Sequence, residues 1–379
     1  MPRFNDHLTS PGPDNPFPGV RVLERRLGHE IPHQLGSNEG LDMPHAALRR
    51  HFGDAMVEHV YSYGDSEALG IRQRLVRQHG FLLDQLLVDA GCDSLLALIL
   101  RATCGPGDTV ITTAGTYPTF AYFARGQGCR LIEVSYDQVS DNNVQGSSAH
   151  GVPRLAPDLA ALAHQARQNN ARLVYLANPD NPSGHLHSDH DIATLHSELP
   201  EDCWLLLDEA YHDFRPDAER PWANRAMPGV IRCRTLSKAH GLAGLRVGYA
   251  IAEPEVLAML MKVRIHYAVS TLSQAAAEVV LDAPDETSAH IASVKQRRDA
   301  LSERLSSLGA EVLPSATNFV ALRLPSAELA ERVHAEMLDA GRLIARAAHP
   351  ELGRLLRITA LEQALAPGML EPLERVLTA

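Results

Sequence analysis

The sequence lacks most of the features that mark an exported, membrane-embedded or nucleic-acid-binding chain. It has five cysteines, Cys92, Cys104, Cys129, Cys203 and Cys233, an odd and scattered set without a CxxC pair. Such spacing supports neither a disulfide framework nor a thiolate zinc site; reduced thiols in a cytoplasm are expected. Long apolar runs are missing. "LLALIL", Leu95 to Leu100, falls far below the roughly 18 residues of a membrane span. The opening stretch has no apolar h-region, so no signal peptide is expected. Positive charge is in deficit: 35 Lys and Arg stand against 46 Asp and Glu, a formal net charge of -11. That balance disfavours nonspecific binding to nucleic acid or an anionic membrane. There is no HExxH motif and no internal repeat.

What remains is a globular composition, 45% hydrophobic and 21% charged over 379 residues, with room for two or three domains. The first ~35 residues, rich in Pro and Gly, read as an irregular arm. From about residue 66, segments with helical spacing alternate with short β-branched or apolar runs: "DTVITT", "RLIEVSY", "ARLVYLA", "CWLLLDEA", "VIRCRTLS" and "LRVGYAIA". Between "RLIEVSY" and "APDLAALAHQARQNN" the polar stretch 137–154 reads as a loop. The alternation predicts an α/β fold: a large domain, 36–268, with a mostly parallel central sheet flanked by helices, and a smaller C-terminal α/β domain, 269–379. In open sheets of this kind the chemistry lies at the carboxyl ends of the strands.

Five segments place unusual residues at such ends. In "LLLDEAY", Asp208 closes an apolar strand, where a carboxylate is costly without a cationic partner. "NPDNPSG", Asn178 to Gly184, forms a rigid turn that projects Asn181. In "TLSKAHGLAGLRVGY", Lys238 follows a strand, and Ser237 and Arg246 could hold an anion. "DAGCDSLLALI" is a strand-to-helix turn, whose backbone N–H groups at Gly91, Cys92 and Asp93 suit a phosphate. "GTYP" sets Tyr117 after a strand. Each has a plainer interpretation on its own: Asp208 as a helix cap or surface acid, "NPDNPSG" as a mere turn, Tyr117 as packing. Their order, each at a strand end, is what argues for one site.

Together, "TLSKAHGLAGLRVGY", "LDEAY" and "NPDNPSG" resemble the fold-type I pyridoxal-phosphate aminotransferases (class I/II), most of all the histidinol-phosphate branch. The likeness runs from "GSNEG" near residue 36 to "LLRITAL" near residue 360. It implies an aspartate-aminotransferase-like fold and pyridoxal 5'-phosphate as cofactor. Lys238 would carry the cofactor as a Schiff base and, once displaced, shuttle a proton. Asp208 would face the pyridine nitrogen, Asn181 and Tyr211 the phenolic oxygen, and Tyr117 the ring face. Gly91, Cys92, Asp93, Ser237 and Arg246 would hold the phosphate. Tyr63 falls where the family has a tyrosine reaching the neighbouring subunit's cofactor, which implies a homodimer; Tyr61 is the second candidate. Asn38 and Glu39 match the segment that meets the substrate. Arg357, in "LLRIT", matches the substrate-anion clamp, and Arg346, in "GRLIARAA", an arginine that grips the phosphate of histidinol phosphate; a solvated strand-edge arginine is the alternative. The chain departs from the family at three places. No aromatic follows Asn-Glu in "SNEGLDMPH", Ser94 stands where a glutamate is common, and His240 replaces an aromatic.

The expectation is a cytoplasmic enzyme moving an amino group from an amino acid or amino-alcohol phosphate to a 2-oxo acid. A decarboxylase, lyase or cyclase on the same scaffold is the alternative. A non-catalytic ligand-binding regulator is disfavoured by the short, non-basic arm. Nineteen histidines invite a metal interpretation, but His185, His187 and His190 in "GHLHSDH" are expected to be solvated residues on a variable surface connection. No metal is expected.

Overall fold

The computed structural model describes residues 20–36, 38, 39, 42–52, 59, 63–139, 154–216 and 225–378. Seven strands form the large sheet, in the spatial order Leu86–Asp89, Gly248–Ile251, Val230–Thr235, Trp204–Asp208, Leu173–Ala177, Thr109–Thr113 and Arg130–Val134. The last five are mutually parallel, and Gly248–Ile251 runs antiparallel to both its neighbours. Six of these strands are the runs picked out by pattern; Leu86–Asp89 is the addition.

The strands alternate as a sheet covered on both faces requires. Leu173, Tyr175 and Ala177 point to the face covered by helices Gly91–Thr103, Pro118–Gly126 and Pro254–Met261. Val174 and Leu176 point to the face covered by Leu159–Gln168 and Asp189–Glu198. Helices Leu69–His79 and Thr271–Leu281 close the sheet end that carries Leu86 and Val88.

A second sheet, entirely antiparallel, orders its strands Glu311–Leu313, Phe319–Arg323, Leu355–Thr359 and Ala345–Arg346. The 24-residue helix Pro284–Ser307 packs Leu301 and Leu305 into the core of this sheet, and Val294 into a cluster shared with Tyr211 and Phe214.

Two expectations change. The stretch taken as an irregular arm carries the helix Val20–Leu27. Beyond it, His33–Gln34 pairs in parallel with Arg342–Leu343, more than 300 residues on. The stretch taken as a loop after residue 136 begins and ends in a two-stranded ribbon, Tyr136–Val139 against Arg154–Pro157. Among the described residues no helix is long and apolar enough to cross a membrane.

Candidate active site

The carboxyl ends of the central strands open into a cavity of about 810 Å³, roofed by the antiparallel sheet. Its floor is set by the two turns that leave the Leu86–Asp89 and Val230–Thr235 strands. Helix Gly91–Thr103 starts at Gly91, with φ 83, so its first N–H groups face the cavity beside Cys92 and Asp93. The positive φ favours glycine here, and Arg246 Nη2 lies 2.7 Å from where a Cβ on residue 91 would stand. A Cβ on Gly248 would lie 2.9 Å from the Cys92 nitrogen. Arg246, itself at φ 53, sends Nη2 to Asp93 Oδ2 at 3.3 Å. The Ser237 N–H donates to Thr235 Oγ1 at 3.1 Å, and the Thr235 hydroxyl donates to Ser237 Oγ at 2.8 Å. This pair pins the backbone entering Lys238.

Lys238 lines the cavity, and its pKa is lowered to about 8, by burial first and then by the Arg357 guanidinium. The free amine is therefore accessible near neutral pH. Tyr117 spans the same floor, its hydroxyl donating to Asp93 Oδ1 at 2.8 Å.

Asp208 ends the strand Trp204–Asp208 beneath the cavity, 4% exposed. Its Oδ2 accepts from the Tyr175 hydroxyl at 2.8 Å and its Oδ1 from the Ala210 N–H at 3.0 Å. Burial pushes its pKa up to about 6. The next residue, Glu209, points away into a buried ion cluster with Arg232 and Arg234, at 2.8 Å to each. Adjacent carboxylates thus have opposite situations. Glu209 has two guanidinium partners and a pKa held far down, while no cation pairs with Asp208 among the described residues.

The far wall carries the arginines. Arg357 projects from Leu355–Thr359, donates to Asn181 Oδ1 and, at 2.7 Å, to the Gly36 carbonyl, and lies 5.0 Å over the Phe319 ring. Its Nε is buried without a hydrogen-bond partner. Asn38 sits at φ 55 and is fixed from several sides. Its N–H donates to Thr359 Oγ1 at 3.1 Å, its Oδ1 accepts from the Thr359 hydroxyl at 2.9 Å, and its Nδ2 donates to the Tyr211 hydroxyl at 2.8 Å. Arg346 is more open, and among the described residues its ion pair is with Glu331 at 3.8 Å.

The structure thus gathers Lys238, Asp208, Tyr117, Asn181, Tyr211, Ser237, Arg246, Cys92, Asp93, Asn38, Arg346 and Arg357 around one cavity, with Gly91 just behind it. Tyr63 is elsewhere: it is 83% exposed and stacks on Tyr267, ring centroids 4.8 Å apart. Tyr61 lies outside the described residues. One expectation fails. His187 is buried, with its Nε2 hydrogen-bonded to the Pro157 carbonyl at 3.0 Å. The 154–157 ribbon covers it, so only His190 of the three is exposed. No metal-ligating cluster occurs among the described residues.

Sequence patterns missed the cavity's mouth, where Leu23, Gln34, His334 and Leu343 contribute. They also missed Asp180, fully buried in "NPDNPSG", which accepts from Thr116, Tyr136 and Ser183 and so fixes the turn carrying Asn181. The period-2 phase of "LVYLA" could have flagged Tyr175, which lies on the strand beside Asp208.

This arrangement fits pyridoxal phosphate: an uncompensated buried acid for a ring cation, a helix start crowded only by glycine for a phosphate, and an amine of lowered pKa between them. The chain is a member of the aminotransferase class I and II family, whose pattern it matches over residues 31–371. It is a pyridoxal-phosphate-dependent aminotransferase with the aspartate-aminotransferase-like fold. Among solved structures it is similar to histidinol-phosphate aminotransferase from Sinorhizobium meliloti in complex with pyridoxal 5'-phosphate. The identity is 32% and the TM-score 0.86, over 100% of this chain and 97% of that one. It is 32% identical to histidinol-phosphate aminotransferase of Xanthomonas euvesicatoria, over 84% of this chain and 83% of the relative. It is equally 32% identical to an aromatic amino acid aminotransferase of Nocardia farcinica, over 79% and 81%.

Proposed function

We propose that the cavity transfers an amino group from a donor with an anionic far end, of the histidinol-phosphate type, to a 2-oxo acid. Each described residue would have a defined part. Lys238 would hold the cofactor through its amine and, when free, would move the proton at the donor's α-carbon. Its pKa of about 8 suits both directions of that transfer near neutrality. The cofactor, when bound, supplies the electron sink for the α-carbon bond. Asp208 holds the positive charge at the ring nitrogen on which that sink depends. Asn181 and Tyr211 would hold the ring's oxygen, and Tyr117 would hold the ring itself. The Gly91–Cys92–Asp93 turn, Ser237 and Arg246 hold the phosphate.

Arg357 takes the carboxylate of acid substrates, with Asn38 setting the mouth beside it. Arg346, on the neighbouring strand of the same sheet, takes the phosphate of a phosphorylated donor. The observation that carries this assignment is the single cavity joining the Lys238 amine, the unpaired acid Asp208 and both arginines. Two sets of relatives, one for histidinol phosphate and one for aromatic amino acids, share this degree of similarity. The two-arginine wall favours the charged donor.

The active unit is proposed to be a cytoplasmic homodimer. Tyr63, Met259, Ile265 and Tyr267 are apolar or aromatic and 46% or more exposed, a patch of the kind that marks an interface. It would place Tyr63 against the neighbour's phosphate. The test is a donor screen with purified holoenzyme and 2-oxoglutarate, following cofactor absorbance. Histidinol phosphate should convert the cofactor to its amine form at far lower concentration than phenylalanine; the reverse order would overturn the donor assignment.

A further inference from the structure

Arg264 stands between two exposed apolar residues, Val263 and Ile265, yet is itself only 8% exposed. Its fork turns inward and is used in three directions. Nε donates to Asp89 Oδ2 at 2.9 Å, Nη2 to the Val88 carbonyl at 2.8 Å, and Nη1 to the Ser66 carbonyl at 2.8 Å. The other oxygen of Asp89 accepts from the Ala90 N–H at 2.6 Å and the Ser94 hydroxyl at 2.7 Å. Asp89 is 2% exposed and lies directly before the Ala90–Asp93 turn. Ser94, a departure from the family pattern, thus binds the acid beneath the turn.

A carboxylate buried here is awkward for an anion site. It occupies the positive end of helix Gly91–Thr103, where a phosphate gains most, and it would repel that phosphate in a medium of low dielectric. Arg264 cancels the charge through Oδ2 while leaving Asp89 Oδ1 to organise the turn. The same side chain holds the backbone at Ser66, three residues from Tyr63. That segment is also held by Gln274, whose Nε2 donates to the Asp65 carbonyl at 2.9 Å.

We propose that Arg264 is a positioning residue for the cofactor-phosphate site: it neutralises Asp89 behind the Gly91–Asp93 turn and ties that turn to the segment bearing Tyr63. The inference rests on assigning the turn to the cofactor phosphate. It is tested on the full chain stripped of cofactor, titrated with pyridoxal 5'-phosphate and followed by absorbance. Arg264→Met should weaken binding by about 10- to 100-fold, because it strands the buried acid. Adding Asp89→Asn should restore affinity to within about threefold of the native chain. Donor KM at saturating cofactor should stay unchanged throughout. Native affinity in Arg264→Met, or no recovery in the double variant, overturns the proposal. If Arg264→Met does not fold, Arg264→Lys, which keeps the charge, should bind far better than Arg264→Gln; equal losses overturn it. A native chain that binds no pyridoxal phosphate removes the functional assignment, and this inference with it, whereas native binding unaffected by Arg264→Met removes only the latter.

Discussion

The cavity has two walls of different construction. The wall on the large sheet is built from short turns at the ends of buried strands: Asp208 braced by Tyr175, Lys238 entered through the Thr235–Ser237 pair, and the Gly91 turn packed against Arg246 and Gly248. The opposite wall comes from the antiparallel sheet and the N-terminal segment. There Arg346 makes a long ion pair, and Leu23 and His334 border the opening. The first wall is over-determined and fits one chemistry. On the second, Arg357 and Asn38 are held by several hydrogen bonds, and Arg346 is held less. On the proposed assignment, cofactor chemistry belongs to the rigid wall, and donor choice to the second wall, looser at Arg346.

The largest effect should come from the rigid wall. Lys238→Ala should lower turnover by at least ~10³-fold with every donor and abolish covalent cofactor binding, read by steady-state rates and the visible chromophore. Retained turnover would break the contrast at once. Asp208→Asn should cost about 10²-fold or more in turnover. It should also stabilise the cofactor-free chain. With its pKa raised from 3.8 to about 6, Asp208 favours the fold while protonated. That contribution is full below the ordinary value and is lost as pH rises through about 6. Thermal unfolding of the apoprotein should show Asp208→Asn and native chains alike near pH ~4 and the variant higher at pH ~7.5.

Next comes Arg357, on the far wall but hydrogen-bonded to Asn181 of the first. Arg357→Met should lower kcat/KM for carboxylate substrates by about 10- to 100-fold. It should also move the pH midpoint for loading cofactor onto the apoprotein upward from about 8, since this guanidinium ranks after burial in lowering the Lys238 pKa. The smallest effect belongs to the loose wall. Arg346→Ala should raise KM about 10-fold for phosphorylated donors and leave aromatic amino acids unchanged; an equal loss for all donors would erase the distinction between the walls.

The rigid wall was also the more legible in sequence. An acid closing "WLLLD", or a lysine leaving "VIRCRT", interrupts an apolar strand at a point where burial makes charge expensive, so the residue type itself signals a partner. The loose wall depends on contacts between distant segments, such as His33–Gln34 against Arg342–Leu343, whose two-residue strands have no periodicity to detect. The same holds for Arg264. In sequence it stands in "MKVRIHY" with Lys262 two residues before it and nothing to set it apart, and only the fold brings Asp89, Val88 and Ser66 to its fork. The reversed direction of Gly248–Ile251 was likewise hidden, because an apolar run carries no sense of direction. His187 misled for the opposite reason: a polar composition suggested solvent, and a neighbouring ribbon covered it.

The passage of residues 33–38 through the smaller sheet has a mechanical consequence. The His33 N–H donates to the Gly341 carbonyl, Leu35 exchanges hydrogen bonds with Leu343 and Thr359, and the Asn38 N–H reaches the Thr359 hydroxyl, all within 3.1 Å. Three residues, His33, Leu35 and Asn38, are thereby sewn to one body, while the Asn38 amide is hooked to Tyr211 on the other. Any swing of the smaller sheet would carry this thread along and load that amide–phenol link together with the Arg357–Asn181 bond, so the doorway and its latch would travel as one piece.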